Sequence, residues 1–528
     1  MQIFIRRRSE AMRDGCVSEF VGSAGARYTF AHPCFDRLIN NNYEYGLLVI
    51  TTTLAVKGLI ISFSSHGRLS STKQSRHKGG SGLRSSEFWP SGPFHEAEAM
   101  SVALQSSDPP AEAAAKVLIR LGLAALFVAL PCTGIFWRGA IYVLLPVGAT
   151  LILIGAMLDA PRHIGLRLHG ALVSPIGCAA LFLTFWACLS LLWTPFPEEA
   201  ADRFFKSAST TVLAVLVAVY LPQKTKTLDF YLLPIGLTAA SVATLALALF
   251  GSSWFLGGFE FDETLFERSM ITSIILVWPA LGMLSFREHW ISAAILAILV
   301  AAVALAGFAQ IALLATGAGA FTFAVAMSGP ARTARVLAWL FGLLIMFAPA
   351  LPLLYRLILR LSGFEPGAGS APMLIWSDLI VSQWPRLITG HGFDFVHQGL
   401  SFGYLPERSP RSLLFVIWYD LGLAGAAGFM ILVVLTFRSA GAIPTKAAPA
   451  LLAGLVAILT IAILGIATAQ IWWVTLLDCD AIAFAILLKG IDRAQRPDAQ
   501  AIRALEPEAP QEPGQESAAV SRGSAAIS

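Results

Sequence analysis

The chain has 528 residues, of which 56% are hydrophobic and only 13% carry a charged side chain. A soluble domain of this size needs far more charge to cover its surface, so the composition excludes an ordinary soluble enzyme. The formal net charge of +4 is small. The position of the charges along the chain therefore matters more than their sum.

Six cysteines are scattered along the chain without a CxxC pair, and most of them lie in apolar runs, where cysteine usually serves as a small packing residue. We therefore predict neither a disulfide framework nor a metal site. The sequence also lacks a Gly-rich phosphate loop, an Asp-x-Asp metal pair and a nucleotide-binding signature. These absences argue against a nucleotide-sugar enzyme and an ATP-driven pump, and we expect no cofactor.

The first part of the chain, residues 1–115, is predicted to be a disordered extension or an upstream start that is not used. Most of it is polar, with a Ser/Arg/Gly-rich stretch at 70–86, whereas Met100 opens a segment typical of an ordinary N-terminus. One apolar stretch at 46–63 approaches spanning length but carries Lys57 in its middle. A genuine additional helix there is the alternative interpretation.

From residue 116 onward, apolar runs long enough to cross a hydrocarbon layer of about 30 Å follow one another with short connections. They predict an all-α integral membrane domain at 116–489 with about twelve transmembrane helices. A disordered tail at 490–528, rich in Pro, Glu, Ala, Gln and Ser, follows it. The runs lie near 117–136, 139–158, 171–193, 207–222, 228–250, 269–286, 289–307, 309–328, 332–355, 413–437, 447–466 and 469–489.

The orientation follows from the short loops, because Lys and Arg near helix ends are retained on the cytoplasmic side. Basic residues are more numerous after even-numbered helices, so both ends of the domain are predicted to be cytoplasmic. The loops after even-numbered helices carry Arg162, Arg167, Lys224, Lys226, Arg287, Arg332, Arg335, Arg438 and Lys446, and those after odd-numbered helices carry Arg138, Arg203, Lys206 and Arg268.

One connection, residues 356–412 between the ninth and tenth predicted helices, is much longer than the others and lies on the outer side. We call it the outer loop. Apolar residues recur near the helical period at 373–388, which predicts an amphipathic helix against the membrane surface with Asp378 and Arg386 on its wetter side. The sequence GHGFDF follows, in which Gly390 and Gly392 permit a tight turn.

Four segments carry more specific signals. LSLLWTPFPEEAADRF (189–204) has a Trp-Thr-x-x-Pro motif directly after a helix, and ERSMITSIILVWPALGML (267–284) places Glu-Arg at the head of an apolar helix. IWSDLIVSQWPRLITGHGFDF (375–395) joins an Ile-Trp helix to a Gly-x-Gly-Phe turn, and LLFVIWYDLGLAGAAGF (413–429) opens a helix with Asp-x-Gly-x-x-Gly. In order, spacing and topology these segments resemble the O-antigen ligase and polymerase superfamily over roughly residues 116–489.

The resemblance implies a glycosyltransferase of the bacterial inner membrane that acts in surface polysaccharide or O-antigen biosynthesis. Members of this superfamily take glycan units from undecaprenyl pyrophosphate and join them to a glycan or lipid-A-core acceptor. The reaction takes place at the periplasmic face and needs no metal ion. The outer loop would therefore be periplasmic and close to the active site.

Such a reaction needs cations for the pyrophosphate leaving group and, ideally, a base for the acceptor hydroxyl. The resemblance implies substrate-binding roles for Trp376 and for the outer-side arginines Arg268, Arg386, Arg408 and Arg411. Arg268 best matches a position of the superfamily, because it stands at the head of a helix after an outer loop.

The chain departs from the superfamily at several positions that bear on catalysis. The superfamily has an arginine where this chain has Pro372, a His-Asn pair where it has Pro410 and Arg411, and commonly Arg or Lys where it has Gln310. His391 and His397 of the outer loop are the candidate catalytic bases, since imidazole has an unperturbed pKa near roughly 6.5. A catalytically lapsed binding protein is a further alternative.

A second function is suggested by two acids in the last apolar run, Asp478 and Asp480. Charged groups inside a membrane are costly and usually face a cavity or a partner. They raise the alternative of a lipid-linked glycan flippase or a polysaccharide transporter. Against it, the chain shows no inverted repeat. A simpler interpretation is that the last helix begins after these two residues.

Overall fold

The computed structural model describes residues 110–137, 139–159, 164–221, 229–250, 263–307, 309–363, 365–443, 446–465 and 471–494. Regular secondary structure is entirely helical in these ranges. The predicted extension as far as residue 109, the alternative helix at 46–63 and the tail from residue 495 lie outside the described residues.

The helices are named here in chain order. They are α1 (Pro110–Ala124, continued by a π turn at Ala125–Ala129 and by Leu130–Thr133), α2 (Ala140–Asp159), α3 (Ile164–Leu172), α4 (Pro175–Ser190), α5 (Pro197–Tyr220), α6 (Asp229–Phe250), α7 (Glu263–Phe286), α8 (Trp290–Ala306) and α9 (Gln310–Ser328). The second half contains α10 (Pro330–Met346), α11 (Ala350–Ser362), α12 (Ala371–Ser382), α13 (Arg386–Thr389), α14 (Phe395–Ser401), α15 (Leu413–Val416, a π turn at Ile417–Leu421 and Gly422–Gly441), α16 (Ala448–Leu464) and α17 (Ile471–Ala494).

Seven of the described helices are long and apolar enough to cross a membrane, or eight if the bent pair α10 and α11 is counted as one span. The all-α, multi-pass membrane class is confirmed at this level. The described residues do not confirm the predicted count of twelve spans. Three of the predicted spans, α4, α8 and α16, are apolar helices of only 16 or 17 residues, shorter than the roughly 20 residues that a bilayer core needs.

The apolar run at 332–355 predicted one continuous helix, but the chain forms α10 and α11 with a bend of 70° between them. Pro349 lies at the break and Pro352 in the first turn of α11. Proline lacks the backbone N–H that continues a helix. Helix α11 then extends to Ser362, where Gly363 ends it with a left-handed φ of 67°. The predicted outer loop therefore opens with helical residues.

Helix α7 lies at the centre of the described bundle and packs against α6, α8, α16 and α17. Every side chain from Arg268 to Ser285 is buried. A helix that is apolar on all sides is expected to be enclosed by other helices. The segment that carries the second sequence signal is therefore the core of the bundle.

The last helix, α17, is attached to α5 by a lysine. Lys489 Nζ donates hydrogen bonds to the carbonyl oxygens of Ala218 (2.7 Å) and Leu221 (2.8 Å). The final carbonyl groups of a helix have no intrahelical partner, so the ammonium group satisfies the C-terminal end of α5.

Two acids lie well inside α17. Asp478 and Asp480 follow the first described residue of this helix, Ile471, by more than one turn, and both side chains are fully buried. The simpler interpretation, that the last helix begins after these acids, is therefore wrong.

Candidate functional site

The outer loop and α15 meet where two glycine turns cross. Gly390 has a φ of 73° and Gly422 a φ of 65°, a left-handed conformation that glycine adopts at little cost. A Cβ atom on Gly390 would overlap the carbonyl oxygen of Asp420, and one on Gly422 would overlap the backbone of Ile388. Glycine is therefore required at both positions because the two backbones are in direct contact.

Backbone hydrogen bonds hold this crossing together. The N–H groups of His391 and Gly392 donate to the carbonyl oxygens of Tyr419 (2.9 Å) and Asp420 (3.0 Å). The Val396 N–H donates to the buried carboxylate of Asp420 at 2.9 Å. Tyr419 and Asp420 belong to the π turn of α15, and such turns are frequent at functional sites. The third and fourth sequence signals thus form one structural unit.

The first sequence signal, 189–204, joins the same unit. Ser190 Oγ, at the end of α4, accepts a hydrogen bond from the Phe393 N–H at 3.0 Å. The ring of Phe196 stacks on Phe402 with 5.1 Å between their centroids. Three segments that are far apart along the chain therefore converge on the turn that follows α13.

A largely buried ion pair connects this turn to α5. Arg203 Nη1 lies 2.7 Å from Asp394 Oδ1, and the two side chains are 12% and 9% exposed. Gln398 Nε2 donates to the other carboxylate oxygen at 3.2 Å. Burial raises the pKa of Asp394 to about 6, because the loss of hydration outweighs the attraction of Arg203 and the hydrogen bonds.

The backbone of Asp394 has a conformation that few residue types adopt. Its φ is 67°, in the left-handed region that aspartate tolerates better than most side chains. Asp394 thus takes a backbone conformation that glycine adopts most readily, and its carboxylate contacts Arg203.

His391 is held in one orientation by the π turn. Its Nδ1 lies 3.1 Å from the carbonyl oxygen of Tyr419, and its ring stacks on the Tyr419 ring with 4.0 Å between centroids. A carbonyl oxygen only accepts hydrogen bonds, so Nδ1 carries the proton and Nε2 keeps a free lone pair. Burial, aided by the charge of Arg386, lowers the pKa of His391. The imidazole is therefore a neutral base at pH 7.

A small pocket lies beside this imidazole. It is a narrow cleft, partly open to solvent, with room for about one water molecule, and it brings together His391, Arg386 and Trp376 from the sequence-predicted set. A neutral base, a guanidinium group and an aromatic surface therefore share one cavity. Its lining is Trp376, Leu379, Ile380, Gln383, Arg386, Leu387, His391, Trp418 and Tyr419.

The other predicted site residues lie elsewhere. Arg268 is buried at the head of α7, where its guanidinium carbon lies 5.5 Å from the centroid of the Trp472 ring. Burial, together with the charge of Arg411, lowers the pKa of His397 to about 3, which makes it a poor base. Arg408 and Arg411 are exposed. None of these four is among the described residues that line the pocket.

Sequence reasoning passed over three members of the site, Gln383, Asp394 and Tyr419. The Tyr419 hydroxyl donates to Gln383 Oε1 at 3.0 Å, which joins α12 to the π turn. The sequence offers one signal that could have found them, which is that all three lie inside the motif segments 375–395 and 413–429. Nothing in their spacing indicated that they would meet.

The chain matches no family model, no curated protein and no solved structure. Its function has to be inferred from the chemistry of the pocket and from the sequence segments that form it.

The direct backbone contact between the turns at Gly390 and Gly422 predicts the effect of a matched pair of substitutions. We expect Gly390→Ala to lower the thermal midpoint of the purified protein and to open the outer loop to protease, because the new Cβ overlaps the Asp420 carbonyl. Gly403→Ala is the control. Gly403 has a similar φ of 74° but no atom within 4 Å of its Cβ position, so it bears only the left-handed strain of about 1–2 kcal/mol. Equal decreases in the thermal midpoint of the two variants would contradict the direct backbone contact at Gly390.

Proposed function

We propose that this chain transfers or polymerises lipid-pyrophosphate-linked glycan units at the outer face of the bacterial inner membrane. The proposal rests on one observation, that His391 and Arg386 line the same pocket. A neutral imidazole beside a guanidinium group is the pair that transfer from a pyrophosphate carrier to a hydroxyl requires. The resemblance to O-antigen ligases and polymerases supports the same chemistry.

In the proposed reaction the acceptor hydroxyl gives its proton to His391 Nε2 as its oxygen bonds to the anomeric carbon of the donor glycan. The bond between that carbon and the pyrophosphate oxygen breaks, and the pyrophosphate leaves with the bonding electrons. Arg386 stabilises the charge that develops on the leaving group, because its guanidinium group can donate two parallel hydrogen bonds to phosphate oxygens. Trp376, which is buried, forms part of the apolar wall of the pocket.

The proposal includes a topology of twelve spans. The short apolar helices α4, α8 and α16, together with α17, complete the set of seven long helices and the bent pair α10 and α11. Both ends of the domain are then cytoplasmic, and the outer loop with its pocket is periplasmic, as the distribution of basic residues indicates. The acceptor is a growing glycan or the lipid-A core.

Arg386 offers a direct test in proteoliposomes supplied with undecaprenyl-pyrophosphate-linked glycan. We expect Arg386→Ala to reduce the rate of transfer by about 10- to 100-fold, the usual effect of losing a hydrogen bond to a charged group. Arg386→Lys should recover part of the rate. Arg408→Ala is the control, since Arg408 is an exposed arginine of the same loop that lies outside the pocket. Full activity in Arg386→Ala would remove this residue from the site.

A second candidate function, the transport or flipping of a lipid-linked glycan, is favoured by the two acids of α17. Asp478 and Asp480 are fully buried in a helix that packs against α5 and α7. Buried acids inside a membrane are typical of proton-coupled carriers. This alternative makes no use of His391.

A further inference from the structure

Helix α11 exposes a broad apolar face. All thirteen of its residues are described, and Pro352 is the one that is buried. The large side chains Leu354, Leu357 and Leu361 are 54%, 51% and 80% exposed, and Ile358 is 51% exposed. An apolar patch of this kind on a single short helix is not stable against water and indicates an interaction surface.

The exposed side chains occupy one side of the helix. At 100° per residue, Leu354, Leu357, Ile358 and Leu361 fall within one arc, Arg360 lies on its flank and Arg356 lies on the opposite side of the helix. We call this arc the apolar face of α11. The helix is amphipathic, with basic residues beside a leucine-rich face, which is the composition of helices that lie in a membrane interface.

Large apolar side chains are also exposed directly before α11. They are Trp339, Leu340 and Leu343 of α10 and Phe347 of the bend. The bend of 70° turns the chain from the direction of α10 to a direction nearly across it. No polar side chain stands between Leu340 and Leu354 along the chain, so the apolar sequence of α10 continues without interruption into α11.

The side of α11 opposite the apolar face contacts α12. Arg356 Nη1 lies 2.6 Å from Asp378 Oδ1 of α12. The opposite side of α12 carries Trp376 and Gln383, which line the pocket. Helix α11 also packs against α12, so it is in direct contact with a helix that forms the site.

We propose that α11 lies in the interface of the bilayer that the spans cross, with its apolar face among the acyl chains. Arg360, which is exposed, lies at the level of the lipid phosphates, and the stem of its side chain runs along the apolar surface. The helix anchors α12 at the membrane surface. This inference does not depend on the glycosyl transfer proposed above.

Photo-crosslinking from lipid tests the proposal on the unmodified full-length chain. The protein is reconstituted in vesicles of phosphatidylcholine and phosphatidylglycerol that contain a trace of phospholipid with a diazirine in the middle of one acyl chain. After irradiation, labelled peptides are mapped by mass spectrometry. We expect adducts on Leu354, Leu357 and Leu361, and on Trp339 of α10 as the internal positive control. Residues 365–370, which follow α11, are the negative control and should carry almost none of this label.

Adducts on α10 but none on α11 would overturn the proposal, because they would show that α11 is in water or covered by a second copy of the chain. Labelling of 365–370 as strong as that of α11 would also overturn it, since the label would then not report depth. The double variant Leu357→Asp and Leu361→Asp gives a further check. It should reduce the adducts on α11 and leave those on α10 unchanged.

Discussion

Replacing His391 by glutamine is expected to reduce the rate of glycan transfer by about 10²- to 10⁴-fold, the usual contribution of a general base. Glutamine keeps a polar side chain beside the Tyr419 carbonyl. Its amide is not basic, however, so it cannot take up the proton that the Nε2 atom of the imidazole accepts. The rate is measured in proteoliposomes with a lipid-linked donor glycan and an acceptor. The thermal midpoint should stay close to that of the unmodified protein, because the backbone hydrogen bonds of the turn remain.

His397→Gln is the matched control for this prediction. His397 belongs to the same loop, but its pKa of about 3 makes it a weak base, so its loss should change the rate little. In the unmodified protein the rate should be constant around neutral pH. It should fall only as the pH drops through the pKa of His391, which lies below the usual 6.5. An inactive His397→Gln beside an active His391→Gln would contradict the assignment of the base.

Replacing Arg203 by methionine is expected to have the largest effect on stability. The substitution leaves the Asp394 carboxyl buried without its cationic partner. Breaking a buried ion pair in this way costs up to about 3–5 kcal/mol where the carboxyl stays charged, and less where it takes up a proton. The outer loop should detach from α5, which would be seen as a lower thermal midpoint and faster proteolysis at 390–400. Lys206→Met is the control, because the Lys206–Asp202 pair is 59% and 58% exposed and contributes little.

The pH dependence of this ion pair has a definite sign. The pKa of Asp394 is about 6 in the folded protein and 3.8 for an unperturbed side chain. A raised pKa contributes stability that is fully present below pH 3.8 and is lost as the pH rises through 6. Arg203→Met removes the attraction that lowers this pKa, so its deficit in thermal midpoint should be larger at pH 8 than at pH 5. A deficit that grows towards acid pH would contradict this account.

The positions of most helices could be predicted from the sequence because an apolar run of spanning length has few alternatives to a helix. The run at 332–355 is the exception. Hydropathy does not distinguish a straight span from one that prolines break, so the bend before α11 was missed. The apolar run ends at residue 355, in the middle of α11, so hydropathy assigns the second half of this helix to the outer loop.

The candidate site could be predicted only in part. The Gly390 and Gly392 turn is visible in the sequence because glycine marks backbone that other residues avoid. The pairing of Arg203 with Asp394 is not visible, since 191 residues separate the two and no periodic pattern relates them. The orientation of His391 depends on a carbonyl group in the π turn of α15, and apolar periodicity does not indicate such a turn.

The central claim, glycan transfer at the outer face, is tested most directly by locating lipid-linked glycan in a strain that lacks this protein. Accessibility of the glycan to an impermeant sugar-modifying reagent in intact spheroplasts and in inverted vesicles distinguishes the two leaflets. We predict that the glycan accumulates in the outer leaflet, already translocated but neither polymerised nor attached. Accumulation in the cytoplasmic leaflet would contradict transfer and favour transport, and surface polysaccharide of unchanged length and attachment would contradict both.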